Sequence, residues 1–157
     1  MTLDDMAGTV RRTLRVYVPA ERAFSVFTER FAAWWPREYT WAKDVLETIG
    51  IECHEGGHCY ECGPNGFLCH WGRVLVWDPP HRLVFSWQIS PERVPEPNPD
   101  NASEVEVRFI PDGPATTVEL KHSGFARHGR RGAQYRVGMD SPQGWTYILK
   151  RYAEAAV

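Results

Sequence analysis

Between residues 9 and 18 apolar and polar side chains alternate over most of the run. Val10, Leu14, Val16 and Val18 stand against Arg11, Thr13, Arg15 and Tyr17. A period of two predicts a strand with one covered face. Pro19 ends that pattern and presets the first turn of a helix. Ala20, Ala23, Phe24, Phe27, Phe31 and Trp34 then recur at steps of three and four. This predicts an apolar helical stripe, broken in two and closed by Trp34-Trp35-Pro36. From residue 45 to 90 the pattern returns to strands. The turns between them are Glu55-Gly56-Gly57-His58, Gly63-Pro64-Asn65-Gly66 and Asp78-Pro79-Pro80-His81, where glycine supplies positive φ and proline denies ladder donors. One long strand is predicted over 68–77, and Leu83, Phe85, Trp87 and Ile89 mark an aromatic face on the next.

Pro91, Pro95, Pro97 and Pro99 then exclude both helix and central strand, so the segment is an extended loop over the sheet. Val105, Val107 and Phe109 alternate with Glu104, Glu106 and Arg108. After a turn at Asp112-Gly113, Val118 and Leu120 alternate with Thr117, Glu119 and Lys121. Residues 125–139 read as loop or short helix. Ser141 is a candidate cap and Pro142 suits a first helical position. Behind them Trp145, Ile148, Leu149, Tyr152, Ala153 and Ala156 predict an amphipathic helix of about four turns. Hairpin-length connections make the sheet antiparallel, with charges on its wet face and helices on the other. The fold class is α+β.

Length and composition narrow the class. The 157 residues are enough for one core, so residues 1–157 are expected to form a single domain. Seven Trp, six Tyr and seven Phe supply that core and exclude general disorder. A net charge of -2 disfavours nucleic acid as a partner. No apolar run is long enough to span a membrane, and the acidic start at residues 1–5 has no apolar stretch of a secretory signal. A cytoplasmic location is expected.

Seven soft ligands fall within a short stretch: Cys53, His54, His58, Cys59, Cys62, Cys69 and His70. Cys59-x-x-Cys62 has a zinc spacing, but strand parity turns the two to opposite faces. Free thiols and no metal are expected. Glu61, Arg73 and His122 are the polar residues that alternation places toward the concave side. They could serve as acid, base and oxyanion partner, or as an internal ion pair and a hydrogen-bonded histidine. Arg127, His128, Arg130, Arg131 and Arg136 read as a solvated basic segment.

Taken in order, these motifs resemble a known family. They are Val18-Pro19-Ala20-Glu21-Arg22-Ala23-Phe24, Trp34-Trp35-Pro36, the Gly56-Gly57 hairpin, Trp71-Gly72-Arg73-Val74-Leu75, Asp78-Pro79-Pro80-His81-Arg82-Leu83-Val84-Phe85, Trp87, His122-Ser123-Gly124-Phe125 and Gly144-Trp145. The chain is identified as a member of the SRPBCC (START/Bet v 1-like) superfamily, in the branch of the activator of Hsp90 ATPase homologue. The resemblance implies a helix-grip fold: a curved sheet of about seven strands around a long C-terminal helix, with a cavity between them. Expected walls are Trp71, Phe85, Trp87, Phe109, Leu120, His122, Trp145 and Leu149. The expected partner is a small hydrophobic or aromatic molecule, with no cofactor. A cyclase or dehydratase using Glu61, Arg73 and His122 is the alternative. An Hsp90-associated interaction domain is a second one, although stable Hsp90 contact is not expected. A homodimer is left open.

Overall fold

The alternating strand that opens the pattern is β1 (Val10–Val16) in the computed structural model, which describes residues 8–157. The acidic start at 1–5 lies outside the described residues. The helical stripe is broken in two as its sequence predicts, into α1 (Ala20–Thr28) and α2 (Phe31–Trp34). Six strands follow: β2 (Thr48–Ile51), β3 (His58–Cys62), β4 (Leu68–Asp78), β5 (Arg82–Trp87), β6 (Ser103–Asp112) and β7 (Ala115–Ser123). Two helices close the chain, α3 (Gly132–Met139) and α4 (Trp145–Ala155).

The strands form one antiparallel sheet in the order β1-β7-β6-β5-β4-β3-β2. Every neighbour pair except β1–β7 is consecutive in sequence, as short hairpin turns require. The sheet curls over α1, α2 and α4, which makes this a helix-grip α+β fold. Bulges at Cys59/Tyr60 and between Val74 and Val76 bend β3 and β4 away from the plane of β5–β7.

The core is aromatic. Phe27 is fully buried and meets Phe31, Trp34, Phe109 and Tyr152 at ring-centroid distances of 5.0 to 6.4 Å. The polar tips that come with these rings are satisfied. Trp34 Nε1 donates to the Val26 carbonyl at 2.9 Å, and the Tyr152 hydroxyl donates to the Ala23 carbonyl at 2.7 Å. These two bonds fasten α1 to α2 and to α4.

Two local expectations are corrected. The last helix begins at Trp145 and has 11 residues, about three turns. Ser141 does not cap it; its hydroxyl closes α3 instead, donating to the Gly138 carbonyl at 2.6 Å. Gly144 stands before α4 because the chain doubles back there: a Cβ would lie 2.1 Å from the Met139 carbonyl oxygen. The basic segment is also less solvated than expected. His128 is tucked beneath it and bonded to Ser103, while Arg131 pairs with Glu92 and Arg136 with Asp140.

Candidate functional site

The helices fill only one end of the space under the sheet. Toward the other end, between β2, β4 and β5 and the start of α4, an open cavity of about 740 Å³ remains. Its floor comes from strands: Ile49 on β2, Trp71 on β4 and Trp87 on β5, all buried. Trp35, next in line after α2, leans over this floor and stacks on Trp71 with centroids 5.9 Å apart and planes 21° from parallel. Phe31 stacks behind Trp35 at 4.8 Å and 20°. Successive residues on a helix point about 100° apart, so Trp34 packs inward on Tyr152 while Trp35 faces the hollow.

Loops make the rim. Residues 36–46 cross the opening, with short 3-10 turns at Arg37–Tyr39 and Lys43–Val45. Glu38, Tyr39, Thr40, Trp41 and Lys43 from this segment border the cavity. Four tethers hold it. Both Glu61 carboxylate oxygens accept backbone N–H bonds, from Trp41 at 3.1 Å and Ala42 at 2.8 Å. Trp41 Nε1 donates to the Arg93 carbonyl at 2.9 Å, and the Tyr39 hydroxyl donates to the Gln143 carbonyl at 2.7 Å. The Tyr147 hydroxyl reaches Glu38 at 3.3 Å. The Tyr39 phenol is held above its ordinary pKa by burial, then by Tyr147 and Glu38, against the field of Arg93.

The expected walls divide in two. Trp71 and Trp87 border the cavity. Phe85, Phe109, Leu120, His122, Trp145 and Leu149 are instead buried core. The reason is the inserted stripe of α1 and α2: Phe24 and Phe27 meet Phe109 edge-on, which closes the sheet centre to any ligand. Alternation identified the covered face correctly but could not say what covers it.

Glu61, Arg73 and His122 do not come together. Glu61 is fully buried and serves the rim loop. Arg73 is exposed on the outer face and pairs in register with His58, because the bulge around Cys59 reverses its parity. His122 lies behind Trp87 and Trp145 in a chain of hydrogen bonds. Trp145 Nε1 donates to its Nδ1 at 3.0 Å, so its Nε2 carries the proton and faces Ser103 Oγ at 2.7 Å. Ser103 in turn meets His128 Nε2 at 2.7 Å. Burial lowers the pKa of His122 well below its ordinary value, aided by His128 and Arg93. It also lowers that of His128, to about 4.

The cysteines occupy both faces of the hairpin. Cys59 and Cys69 are buried while Cys53 is exposed and Cys62 half-buried. Burial raises the Cys69 thiol to about 11 and pushes Cys59 up further. Among the described residues no three His, Cys, Asp or Glu side chains gather as metal ligands. No helix among them is long and apolar enough to cross a membrane.

One buried donor is unsatisfied. Trp71 Nε1 has no hydrogen-bond partner, alone among the buried side-chain nitrogens and oxygens of the described residues. The residues missed from sequence include Trp35, Tyr39, Trp41, Lys43 and Arg93 outside the strands and long helices, and Ile49, Met139 and Ile148 on β2, α3 and α4. A signal existed for one of them, since Trp35 follows a residue of the apolar stripe and must diverge from it.

No curated protein matches the chain. Among solved structures, an anthrahydroquino-γ-pyrone synthase, Txn09, is similar at 36% identity with a TM-score of 0.67, covering 99% of each chain. CalC, a self-sacrificing resistance protein from Micromonospora echinospora, is similar at 28% identity and TM-score 0.65, over 99% of this chain and 96% of its own. Protein NE0264 from Nitrosomonas europaea shares the fold at 14% identity and TM-score 0.66, over 97% of this chain and 96% of its own. The family described as activator of Hsp90 ATPase homolog 1-like protein matches residues 17–156, and the chain belongs to that family.

Proposed function

We propose that the chain binds a planar, oxygenated polycyclic aromatic molecule of the polyketide type in the cavity between sheet and α4. The observation that carries this reading is the set of four indoles, Trp35, Trp41, Trp71 and Trp87, around one space of drug-molecule size. Flat rings stack favourably on indole faces, by about 0.5–1.5 kcal/mol per pair beyond area burial. Similarity to a synthase of fused aromatic pyrones supports the same class of ligand.

Tryptophan fluorescence tests it directly. Titration with a hydroxylated anthraquinone is expected to give saturable quenching and a rise in melting temperature. Absence of both up to the solubility limit of the probe would refute the reading.

That similarity also favours a second reading, ring closure on the bound aromatic. The groups that reach the cavity, Tyr39, Lys43, Arg93 and Ser141, would then serve the reaction in place of Glu61, Arg73 and His122. Conversion of an ortho-hydroxyaryl β-diketone to the chromone, with loss of water, is its assay. Turnover at the rate of the protein-free solution would dismiss it.

A further inference from the structure

One side chain at the rim stands on a backbone position that its turn holds at a local cost. Arg93 sits in the proline-rich loop, where the Ser90 N–H donates to the Val94 carbonyl at 2.8 Å, the Val94 N–H reaches the Ser90 hydroxyl at 3.4 Å and the Arg93 N–H donates to the Ser90 carbonyl at 2.8 Å. This turn puts Arg93 at φ +66°, a left-handed conformation that glycine adopts freely and other residues reach at a cost of about 1 kcal/mol or more. Lys43 on the facing loop is also left-handed, at φ +49°. Both border the cavity. Strained residues of this kind gather where a site needs a side chain that the backbone alone would not favour.

Among the described residues the Arg93 guanidinium has no carboxylate partner. It lies over the Tyr135 ring at 4.4 Å, and Nη1 approaches the Met139 sulfur at 3.5 Å. Nη2 lies 3.4 Å from where a Cβ on Gly138 would be, and Met139 and Gly138 both border the cavity. Neither contact is a carboxylate. The nearby acids are engaged elsewhere: Glu92 with Arg131, Glu96 with Asn98 and Asn101, and Glu38 with Tyr147. Nor does Arg93 cap α3, whose end carbonyls are taken by Asp140 and Ser141. The rim therefore carries Arg93 and Lys43 against Glu38 alone, on a chain whose net charge is negative.

We infer that Arg93 is the specificity residue for an ionised oxygen, a carboxylate or acidic phenolate, on the edge of the aromatic ligand. The inference rests on the aromatic-cavity reading and adds its charge. A planar fork of N–H donors, preset by the Tyr135 face, suits a carboxylate lying in the ring plane. Lys43 adds a second positive charge across the opening.

Two probes separate the parts: an anthraquinone carboxylate and the matching methyl-anthraquinone, titrated by tryptophan quenching. The wild-type protein is expected to prefer the carboxylate by about ten- to hundredfold, the range of a hydrogen bond to a charged group. Arg93→Gln should erase that preference, with a change for the methyl probe that is small beside the loss for the carboxylate, and Arg93→Lys should retain part of it. Arg93→Gly relieves the backbone but gives up the contact with Tyr135, so its melting temperature should stay close to that of the wild type while the preference is lost. Added salt should narrow the preference, because the rim is open to solvent. A preference that survives in Arg93→Gln, or one absent from the wild type, overturns the inference. So does Arg93→Gly that melts lower and loses both probes, which is the mark of a structural role. Failure of both probes to quench the wild type removes the aromatic-cavity reading itself.

Discussion

The two ends of the space beneath the sheet use the same residue types to opposite effect. At the α1 end Phe24, Phe27, Phe109 and Tyr152 interlock edge to face, and the one polar tip among them, the Tyr152 hydroxyl, donates to the Ala23 carbonyl of α1. At the end bordered by β2, β4 and β5, Trp35, Trp71 and Trp87 are as buried but leave a hollow. The difference is in the cover. Helices deliver side chains every third or fourth residue and so can plug a groove. A loop such as 36–46 instead borders the groove with Glu38, Tyr39, Thr40, Trp41 and Lys43 and is tethered across the opening without plugging it. Aromatic content alone therefore does not distinguish a core from a binding wall.

The contrast can be broken by truncation. Phe27→Ala is expected to lose about 3–5 kcal/mol in urea unfolding, the range for a buried ring whose site cannot collapse. Trp35→Ala removes a larger ring that already borders open space, and should cost roughly half as much. It should instead abolish quenching by the anthraquinone. Equal stability losses would mean that the hollow end is packed in solution.

Acid sharpens the boundary between the two ends, where His122, Ser103 and His128 lie. A histidine whose folded pKa is depressed binds fewer protons folded than unfolded. Its contribution is present above the unfolded value and is lost as pH falls toward the folded one. For His128 the window runs from 6.5 down to about 4. The loss is on the order of 1–2 kcal/mol after allowance for its partial exposure, and His122 steepens it. His128→Gln should flatten this slope, as measured by urea midpoints across that range. An unchanged slope would place the titration elsewhere.

The smallest effect concerns thiols on the hollow side. Four free thiols are expected under denaturing, non-reducing conditions. In the native protein exposed Cys53 and half-buried Cys62 should react first with a disulfide reagent, with Cys53 slowed by the burial and by Glu29, which raise its pKa. Cys59 and Cys69 should lag, since burial holds both protonated. A fast buried thiol would show that the hairpin opens.

Periodicity carried the architecture, because burial on one face writes itself into the sequence at steps of two or of three and four. It was weaker where both faces are covered: Val84 and Ser86 are buried along with Leu83, Phe85 and Trp87, so β5 is less amphipathic than its neighbours. It failed at bulges. Arg73 was placed inward by counting from Trp71, and the irregular pairing near Cys59 and Gly72 turned it out. The rim was not legible at all. Tyr39, Trp41 and Arg93 lie in segments with no period, and their positions follow from tethers between residues 20 to 104 places apart. His122 shows a subtler limit: its burial followed from parity, but its partners Ser103 and Trp145 come from distant elements.

The rim bolts have an asymmetry with a consequence for how the site can change. Trp41 and Tyr39 each grip a main-chain carbonyl, those of Arg93 and Gln143. Every residue type offers that same carbonyl. Positions 93 and 143 can thus exchange their side chains without unfastening the loop that faces them, and the ligand-facing chemistry is decoupled from the hardware that keeps the opening in shape. A library at these two sites, restricted at position 93 to residues that tolerate a positive φ, should consequently retain folded members in large proportion, giving one scaffold that can be retuned from anionic to neutral or cationic guests.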